Sequence, residues 1–285
     1  EEASKDENKF VGIASAMKNA GLGVGVPDIG RCTIKVKDGI ARIRTSAADI
    51  GQGLQSLVYQ IVCETTGLKT DQVLVEHPDT KYAKDSGTTT ASRQTVFTGE
   101  ATRKAALQLK EALHTKSLEE LDGEKFEGEY SFASDPMGSD KPNPVSHVGY
   151  GYATQVVILN NEGIVEKVVA AHDIGRAINP IAAEGQVDGG VVMSLGYALT
   201  EDFPLKDGVP QAKFGTLGFL RSTQTPEIET ILIEKNKEEL AYGAKGIGEI
   251  TSIPAAAATQ NAYYNKDGKF RVTLPLEDTA YRKSK

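Results

Sequence analysis

The sequence has few of the residues on which several common kinds of site depend. It contains two cysteines, Cys32 and Cys63, and they form no CxxC pair. Two thiolates cannot supply the ligands of an iron–sulfur cluster or of a structural zinc site. The histidines form no HExxH-type pair, so we interpret each as a surface or hydrogen-bonding residue: His77, His114, His147 and His172. Two unpaired cysteines fit a cytoplasmic protein, and we expect that location.

Long apolar runs and basic clusters are also missing. No run approaches the roughly 18 apolar residues of a membrane span, and the first residues, EEASKDENKF, lack the apolar core of a signal peptide. The net charge is −7, and no segment combines Lys and Arg with aromatics, so we expect neither membrane nor nucleic acid as a partner. Because the chain does not begin with methionine, we expect a processed chain or a piece of a longer one.

The first half of the chain predicts strands and helices in alternation. The stretch CTIKVKDGIARIRTSA alternates polar and apolar residues around Asp38-Gly39, which indicates a β-hairpin with a tight turn. GQGLQSLVYQIVCETTG has apolar residues at helical spacing and predicts a helix that ends at Gly67. QVLVEH predicts a short strand, and a second helix is expected from Ser92.

The second half repeats this order after an acidic segment. Residues 117–147 contain Gly and Pro and are interpreted as an insertion or a connection between lobes. GYGYATQVVILNNEGIVEKVVAAHD predicts a hairpin that turns at 161–163, and NPIAAEGQVDGGVVMSLGYALTED predicts a buried helix. IETILIEKN predicts a strand, and the alanine-rich stretch after Ser252 predicts a helix with Pro254 in its first turn.

Both halves therefore predict the order β-β-α-β-α. We expect an α+β protein with two similar lobes, residues 1–145 and residues 146–285, that arose by internal duplication. In this frame Gln52 and Gln186 lie near the start of each lobe's first helix. TTTASRQT and GAKGIGEITS precede each lobe's second helix. Four helix N-termini are thus expected to converge, and their unpaired N–H groups would suit an anionic group such as phosphate.

The glycine-rich stretches do not match common nucleotide-binding loops. Gly51-Gln52-Gly53 begins like GxGxxG, but Ser56 stands where the third glycine is required. The GQG stretch is either a helix-start loop capped by Gln52 or a place where the main chain approaches a ligand. GAKGIGE is not a P-loop, because Lys245 precedes the later glycines.

Two further stretches carry polar side chains at helix starts. GTTTASRQT has more hydroxyl and amide groups than one helix cap needs, which favours ligand binding over capping. Glu249, at the end of GAKGIGE, stands before a helix, where a carboxylate is favoured by the helix dipole. Taken alone, that position favours a structural interpretation of Glu249.

Together these stretches resemble a known family. DIGQGLQS, SGTTTASRQTVFTGEA, DIGRAINPIAAEGQVDGG and GAKGIGEITSIPAAAATQNA occur in this order over about residues 10–272. They are similar to the C-terminal molybdenum-cofactor-binding half of the xanthine dehydrogenase/aldehyde oxidoreductase family of molybdenum hydroxylases. The resemblance implies a molybdopterin cofactor, in its cytosine dinucleotide form, that carries molybdenum without a metal ligand from this chain.

The resemblance also implies site residues and partners. Glu249 would be the catalytic general base, and the cofactor would be held by Gly51, Gln52, Gly53, Thr89, Ala91, Ser92, Arg93, Gln94, Gln186 and Gly248. The N-terminal molybdenum-domain half, iron–sulfur clusters and FAD are expected on partner domains or subunits. The chain would then be inactive alone, with a large apolar face where the missing half docks.

The implied activity is hydroxylation, with water, of a purine or related N-heterocycle such as xanthine. Aldehyde-oxidising relatives share the same stretches, so an aldehyde substrate stays open. A non-catalytic scaffold or assembly subunit is the third possibility, although a scaffold has no need for a carboxylate at position 249.

Overall fold

The computed structural model describes residues 3–235 and 240–282. The strands are β1 (Phe10–Ala20), β2 (Asp28–Lys37), β3 (Ile40–Arg44), β4 (Val73–Val75), β5 (Lys125–Phe132), β6 (Gly149–Leu159), β7 (Val165–Asp173), β8 (Leu205–Lys206), β9 (Val209–Pro210) and β10 (Glu227–Ile233). The α-helices are α1 (Leu54–Thr66), α2 (Gln94–Leu113), α3 (Pro180–Leu199) and α4 (Pro254–Asp267). Short 3-10 turns lie at Ala3–Lys5, Thr70–Gln72, Phe214–Thr216, Ser222–Gln224, Leu240–Gly243 and Ile250–Ser252.

Two four-stranded sheets form the framework, and each carries two helices on one face. The first sheet has the order β4-β3-β2-β5 and packs against α1 and α2. The second has the order β1-β6-β7-β10 and packs against α3 and α4. Each sheet encloses its own apolar core with its helices. The α+β fold with two similar lobes is confirmed, including the order β-β-α-β-α in each half. No helix in the described ranges is long and apolar enough to cross a membrane.

Two strands of the four-stranded sheets lie outside that repeated order, as does the small β8-β9 hairpin. β1 pairs along its whole length with β6, so residues 10–20 belong to the second sheet although they precede the first. β5 pairs with β2, and the interpretation of residues 117–147 as only an insertion or connection was therefore wrong for this strand. Its sequence, KFEGEYSF, does alternate, but with charged residues on the exposed face, which hid the strand. The division between residues 145 and 146 stays a prediction, and the sheets do not follow it at β1.

The edge strands β1 and β5 occupy equivalent places and use glycine in the same way. A Cβ on Gly12 of β1 would lie 2.0 Å from the Ala258 carbonyl oxygen of α4. A Cβ on Gly128 of β5 would lie 1.9 Å from the Ala101 carbonyl oxygen of α2. Both distances are shorter than any real contact, so a side chain would push the helix off its sheet. This shared device supports the predicted duplication.

The predicted turns and helix ends agree with the structure. Asp38 and Gly39 both have positive φ, 55° and 69°, as a two-residue hairpin turn requires. α1 ends at Gly67, which has φ 74°. Pro254 is the first residue of α4. The strand predicted from IETILIEKN ends at Ile233, and its last predicted residue, Asn236, lies outside the described residues.

Candidate functional site

A cavity of about 300 Å³ lies between the two lobes. Its walls come from four places: the start of α1, the loop before α2, the start of α3 and the loop before α4. The predicted site residues that line it are Gln52, Gly53, Thr89, Ala91, Ser92, Arg93, Gln94, Gln186, Gly248 and Glu249. The structure thus brings together every predicted site residue except Gly51, which is exposed outside the cavity lining.

The expected convergence of four helix N-termini is correct for three helices only. The first residues of α1, α2 and α3 line the cavity, whereas α4 contributes the preceding loop, 244–249. The first turn of α4 is occupied elsewhere, because the Ala256 N–H donates to Ser194 Oγ of α3 at 2.9 Å. The 3-10 turn Ile250–Ser252 separates the loop from the helix. That extra turn moves the helix start away from the cavity.

The loop before α1 is organised by Asp49, which the sequence did not single out. Its carboxylate accepts hydrogen bonds from the N–H groups of Gly51 (3.0 Å), Gly53 (3.3 Å) and Gln55 (2.9 Å). Asp49 therefore binds the loop and the Gln55 N–H in the first turn of α1, the task considered for Gln52.

Gln52 closes the same loop from the other side. Its Oε1 accepts from the Ile50 N–H at 2.7 Å, and its Nε2 donates to the Ala48 carbonyl at 3.2 Å. The side chain lies in the cavity wall, half-buried. One N–H and one lone pair of the amide remain for a ligand, so both interpretations of Gln52 stay compatible with this geometry.

The loop before α2 has an unusual backbone at Ala91 and Ser92. Both residues have positive φ, 51° and 50°, so they cannot belong to a right-handed helix, and α2 begins at Gln94 rather than at the predicted Ser92. The Ala91 carbonyl accepts from the Gly21 N–H at 2.9 Å, which fixes the turn. Among the described residues, no side chain caps α2, and its first residues, Gln94 and Thr95, line the cavity. The partial positive charge at the start of this helix therefore lies at the cavity wall.

Arg93 is buried and serves the protein itself. Its guanidinium pairs with Asp28 at 2.5 Å and donates to the carbonyls of Ile29 (2.5 Å), Ser86 (2.7 Å) and Thr88 (3.0 Å). Four of its five N–H groups are thus engaged. Arg93 therefore ties β2 to the loop before α2, and its predicted contact with the cofactor would have to use the remaining N–H or the main chain.

Gln94 and Thr89 are held in a local network. Gln94 Nε2 donates to the Thr88 carbonyl at 3.0 Å and to Thr89 Oγ1 at 3.3 Å, while its Oε1 accepts from Thr98 Oγ1 at 2.5 Å. Thr89 Oγ1 donates to the Ala48 carbonyl at 2.8 Å. This network joins the loops before α1 and α2 into one wall, so these side chains shape the cavity more than they face into it.

Glu249 stands at the cavity edge with one carboxylate oxygen anchored. Ser92 Oγ donates to Glu249 Oε2 at 3.1 Å and accepts from the Glu249 N–H at 3.2 Å. Lys18 Nζ of β1 contacts the same oxygen at 2.9 Å. Within the described residues, Oε1 makes no hydrogen bond or ion pair. The side chain is 44% exposed, so Oε1 can reach a ligand.

The glycines of the loop before α4 allow this approach. A Cβ on Gly246 would lie 2.0 Å from the Ser92 carbonyl oxygen, so a side chain at 246 would separate the two loops. Lys245 pins the same loop to the second sheet, because its Nζ lies 2.6 Å from Asp173 Oδ2 and 3.2 Å from the Tyr150 carbonyl. Lys245 thus has a structural partner at the cavity rim.

A buried polar pair supports the segment that follows Glu249. Gln155 Nε2 contacts His172 Nε2 at 3.0 Å and donates to the Thr251 carbonyl at 2.8 Å. Burial lowers the pKa of His172 from its ordinary 6.5 to about 4. Neutral His172 can accept a hydrogen bond at Nε2, and the pair then fixes the turn two residues after Glu249.

The start of α3 offers the least engaged polar side chain. Asn179 caps the helix, since its Oδ1 accepts from the Ala182 N–H at 3.1 Å. Gln186, nearly two turns further on, is half-buried in the cavity wall and has no hydrogen-bond partner among the described residues. Its amide is available to a ligand with both donors and acceptors. The described residues contain no group of three or more His, Cys, Asp and Glu side chains that could hold a metal ion.

Comparisons with known proteins identify the fold and the family. The model of the molybdopterin cofactor-binding domain family matches residues 1–127 and 120–226. The putative xanthine dehydrogenase molybdenum-binding subunit of Escherichia coli K12 is 29% identical over 293 residues, which cover 89% of this chain and 39% of that protein. The gamma subunit of the 6-hydroxypseudooxynicotine dehydrogenase complex of Paenarthrobacter nicotinovorans is 29% identical over 312 residues, covering 93% and 38%.

A solved structure agrees. The aldehyde oxidoreductase of Desulfovibrio desulfuricans superposes with a TM-score of 0.78 at 25% identity, covering 93% of this chain and 31% of that one. The chain spans about two fifths of the length of the curated relatives it matches. It belongs to the molybdopterin cofactor-binding domain family, as a molybdenum-cofactor-binding part of the xanthine dehydrogenase/aldehyde oxidoreductase group.

Proposed function

We propose that this chain is the molybdopterin-binding part of a molybdenum hydroxylase and that Glu249 is its catalytic base. The observation that carries the proposal is the half-anchored carboxylate: Oε2 is held by Ser92 and Lys18, while Oε1 is exposed at the cavity. A general base needs one carboxylate oxygen held in place and the other accessible to the group that loses a proton.

The cavity walls fit a pterin cofactor with anionic groups. The uncapped start of α2 suits a phosphate or another anion. The Gln186 amide has no hydrogen-bond partner in the described part of the chain, so it can donate to and accept from a pterin ring. Gly53 and Gly248 leave the main chain uncovered at two walls. These groups, together with Gln52, Thr89, Ala91, Ser92 and Gln94, would hold the cofactor.

The chain's own residues would then direct the proton transfer from the attacking water. Addition of a water oxygen to a carbon, with loss of the carbon's hydrogen, releases two electrons and two protons. When bound, the molybdopterin group would supply the redox centre that takes up the electrons. Glu249 Oε1 would accept a proton from the attacking water oxygen, and Lys18 and Ser92 would keep the carboxylate aimed during that transfer.

The substrate we propose is an N-heterocycle such as xanthine. The two curated relatives described above are a putative xanthine dehydrogenase subunit and a 6-hydroxypseudooxynicotine dehydrogenase subunit, each at 29% identity. The aldehyde oxidoreductase structure, at 25% identity, supports an aldehyde substrate as the second candidate. The partner of Glu249 from β1 argues against a non-catalytic scaffold, since a scaffold does not require an oriented carboxylate.

We also propose the form of the cofactor, the partners of the chain and its location. The cofactor would be the cytosine dinucleotide form, as the Ser92-Arg93-Gln94 sequence suggests. Iron–sulfur clusters and FAD would reside on partner domains or subunits, and the chain would be inactive without them and without the N-terminal molybdenum-domain half. The relatives' names as subunits support such an assembly. A cytoplasmic location is supported by the two free cysteines.

The test is the Glu249→Gln variant in the assembled protein. We expect molybdenum and pterin content to stay near the parent value, while turnover of xanthine falls by about 10²–10⁴-fold. Assays with xanthine and with an aldehyde distinguish the two substrate classes. Glu129→Gln, on the exposed face of β5, is the matched control and should leave turnover unchanged. Turnover of the Glu249 variant within tenfold of the parent would refute the role as base.

A further inference from the structure

The two sheets differ in the face that points away from their helices. On the first sheet this face is charged, and its charges are paired within the chain. Arg31 Nε lies 2.7 Å from Glu129 Oε2, and Arg44 Nε lies 2.5 Å from Glu76 Oε2. The Arg44 guanidinium also stacks over the Tyr82 ring at 4.3 Å, so the loop before α2 partly covers this face. The first sheet therefore has a charged outer surface that is compatible with water and whose ion pairs form within the chain.

The equivalent face of the second sheet is apolar. Five large apolar side chains point outward from three of its four strands, and each is 40–58% exposed: Ile13, Met17, Tyr152, Ile231 and Ile233. We call this surface the open face. Exposed apolar side chains are ordinary when scattered, but a contiguous apolar patch marks an interaction site. Because the two lobes share one topology, topology alone does not account for the contrast.

Strand register places these side chains in adjacent rows of the sheet. Met17 pairs with Tyr152 across β1 and β6. The next row contains Ala171 and Ile231 together with Ser15 and Thr154, whose hydroxyl groups hydrogen-bond to each other at 2.8 Å. Val156 and Val169 form the next row, between Ile13 and the distal corner. At that corner the face becomes charged, since Lys167 bridges Glu227 at 3.0 Å and Glu229 at 2.7 Å. An apolar centre with a charged edge is typical of a protein interface.

The open face also adjoins the cofactor cavity. Asp173 is the last residue of β7 and pairs with Ile233 of β10. Its carboxylate contacts Lys245 Nζ at 2.6 Å. Lys245 and Ile174, the residue after β7, both line the cavity. A partner that covers the open face would therefore also lie at the rim of the cavity.

We propose that the open face is the docking surface for the rest of the molybdenum-binding protein, the part that lies outside this chain. This inference rests on the proposed function. The relatives are about two and a half times as long as the matched region, since this chain covers 39% and 38% of two of them. The occupant must be apolar at its centre, because the charged side chains of the face are already paired within the chain. A second copy of this chain would cover the same apolar area but would not complete the cavity.

Cross-linking in the native protein, purified with the chains it carries, identifies the occupant. The Ile13→benzoylphenylalanine variant places a photoreactive ring on the open face, and Ser131→benzoylphenylalanine places it on the exposed face of β5 as a control. We expect Ile13 to cross-link to molybdenum-binding sequence outside residues 1–285, and Ser131 to give no such product. A product with another copy of this chain, or with an iron–sulfur or flavin subunit, would overturn the proposal.

Hydroxyl-radical labelling provides a second readout without a substitution. In the same native protein, Met17 and Tyr152 should be oxidised about tenfold more slowly than Met137 and Tyr82, which are exposed outside the open face. Equal rates would show that nothing covers the face. Molybdenum and pterin are measured in the same sample: a protected face without cofactor refutes the proposed function alone, and an unprotected face with cofactor refutes the docking surface alone.

Discussion

Glu249 depends on contacts from three separate parts of the chain. Its own loop precedes α4, Ser92 belongs to the loop before α2, and Lys18 belongs to the first strand. Both partners contact Oε2, so they hold that oxygen in place and leave Oε1 available to a ligand. A side chain restrained in this way loses less freedom when it reacts, which is one source of catalytic rate.

Lys18 is accordingly predicted to be a positioning residue. In the assembled protein, Lys18→Met should lower kcat by about tenfold with little change in KM, because the carboxylate loses an anchor but the substrate loses no contact. Lys18→Arg keeps the cation and should restore most of the rate. Steady-state kinetics with metal analysis would measure this. A parent-like kcat in Lys18→Met, or loss of rate in step with loss of molybdenum, would show that Lys18 has another role.

Sequence reasoning at this scale predicted site residues that lie within recognisable stretches. Glu249 and Gln186 were predicted because their neighbours form a repeated or familiar pattern, and both line the cavity. Lys18, Asp49 and Asp28 were missed, because each acts through a partner that only the fold brings near. Arg93 shows the opposite case: its stretch was found, but nothing in the sequence reveals that its guanidinium is turned inward to β2.

At the scale of elements, apolar periodicity located the helices and hairpins that bury one face. It failed for β5, whose exposed residues are charged, and β1 was given no element because its partner lies far away in sequence. It also placed the start of α2 too early, since the positive φ angles of Ala91 and Ser92 leave no periodic signal. These irregular places form the cavity wall, where local geometry serves the site rather than the helix.

The buried pair of Gln155 in β6 and His172 in β7 makes the stability of the second lobe depend on pH. The pKa of His172 is depressed to about 4 in the folded state against 6.5 when unfolded. As the pH falls, His172 is protonated in the unfolded chain before it is protonated in the folded protein. The contribution of neutral His172 to the free energy of unfolding is therefore complete above about pH 6.5 and is lost as the pH falls toward 4. This contribution amounts to about 3 kcal/mol.

Denaturant unfolding at several pH values would measure this effect. The free energy of unfolding should fall between pH 6.5 and 4 in the parent, and this slope should be smaller in His172→Gln, which cannot take up the proton. His114→Gln, at an exposed position after α2, is the matched control and should keep the parent slope. Identical slopes in all three proteins would contradict the assignment to His172.

At the scale of the whole molecule, the cavity is built by both lobes, so a cofactor bound there would connect them. A ligand that binds only the folded protein stabilises it, by about 2.7 kcal/mol at a hundredfold excess over Kd. Removal of the cofactor should lower the melting temperature of the assembled protein. It should also speed amide exchange in residues 89–95 and 244–249, and leave the centre of β6 unchanged. Unchanged melting and exchange would place the cofactor outside this cavity.

The position of β1 has a consequence for how the protein is made. Phe10 pairs with Leu159, so the first strand leaves the ribosome about 150 residues before its partner exists. The first sheet, in contrast, contains only strands between Asp28 and Phe132, so it can form before β1 has a partner. Late pairing of distant strands slows folding and leaves an edge exposed to other chains. The second sheet is therefore completed only when β6 pairs with β1, which precedes the whole first lobe in sequence. This pairing makes the two lobes one folding unit.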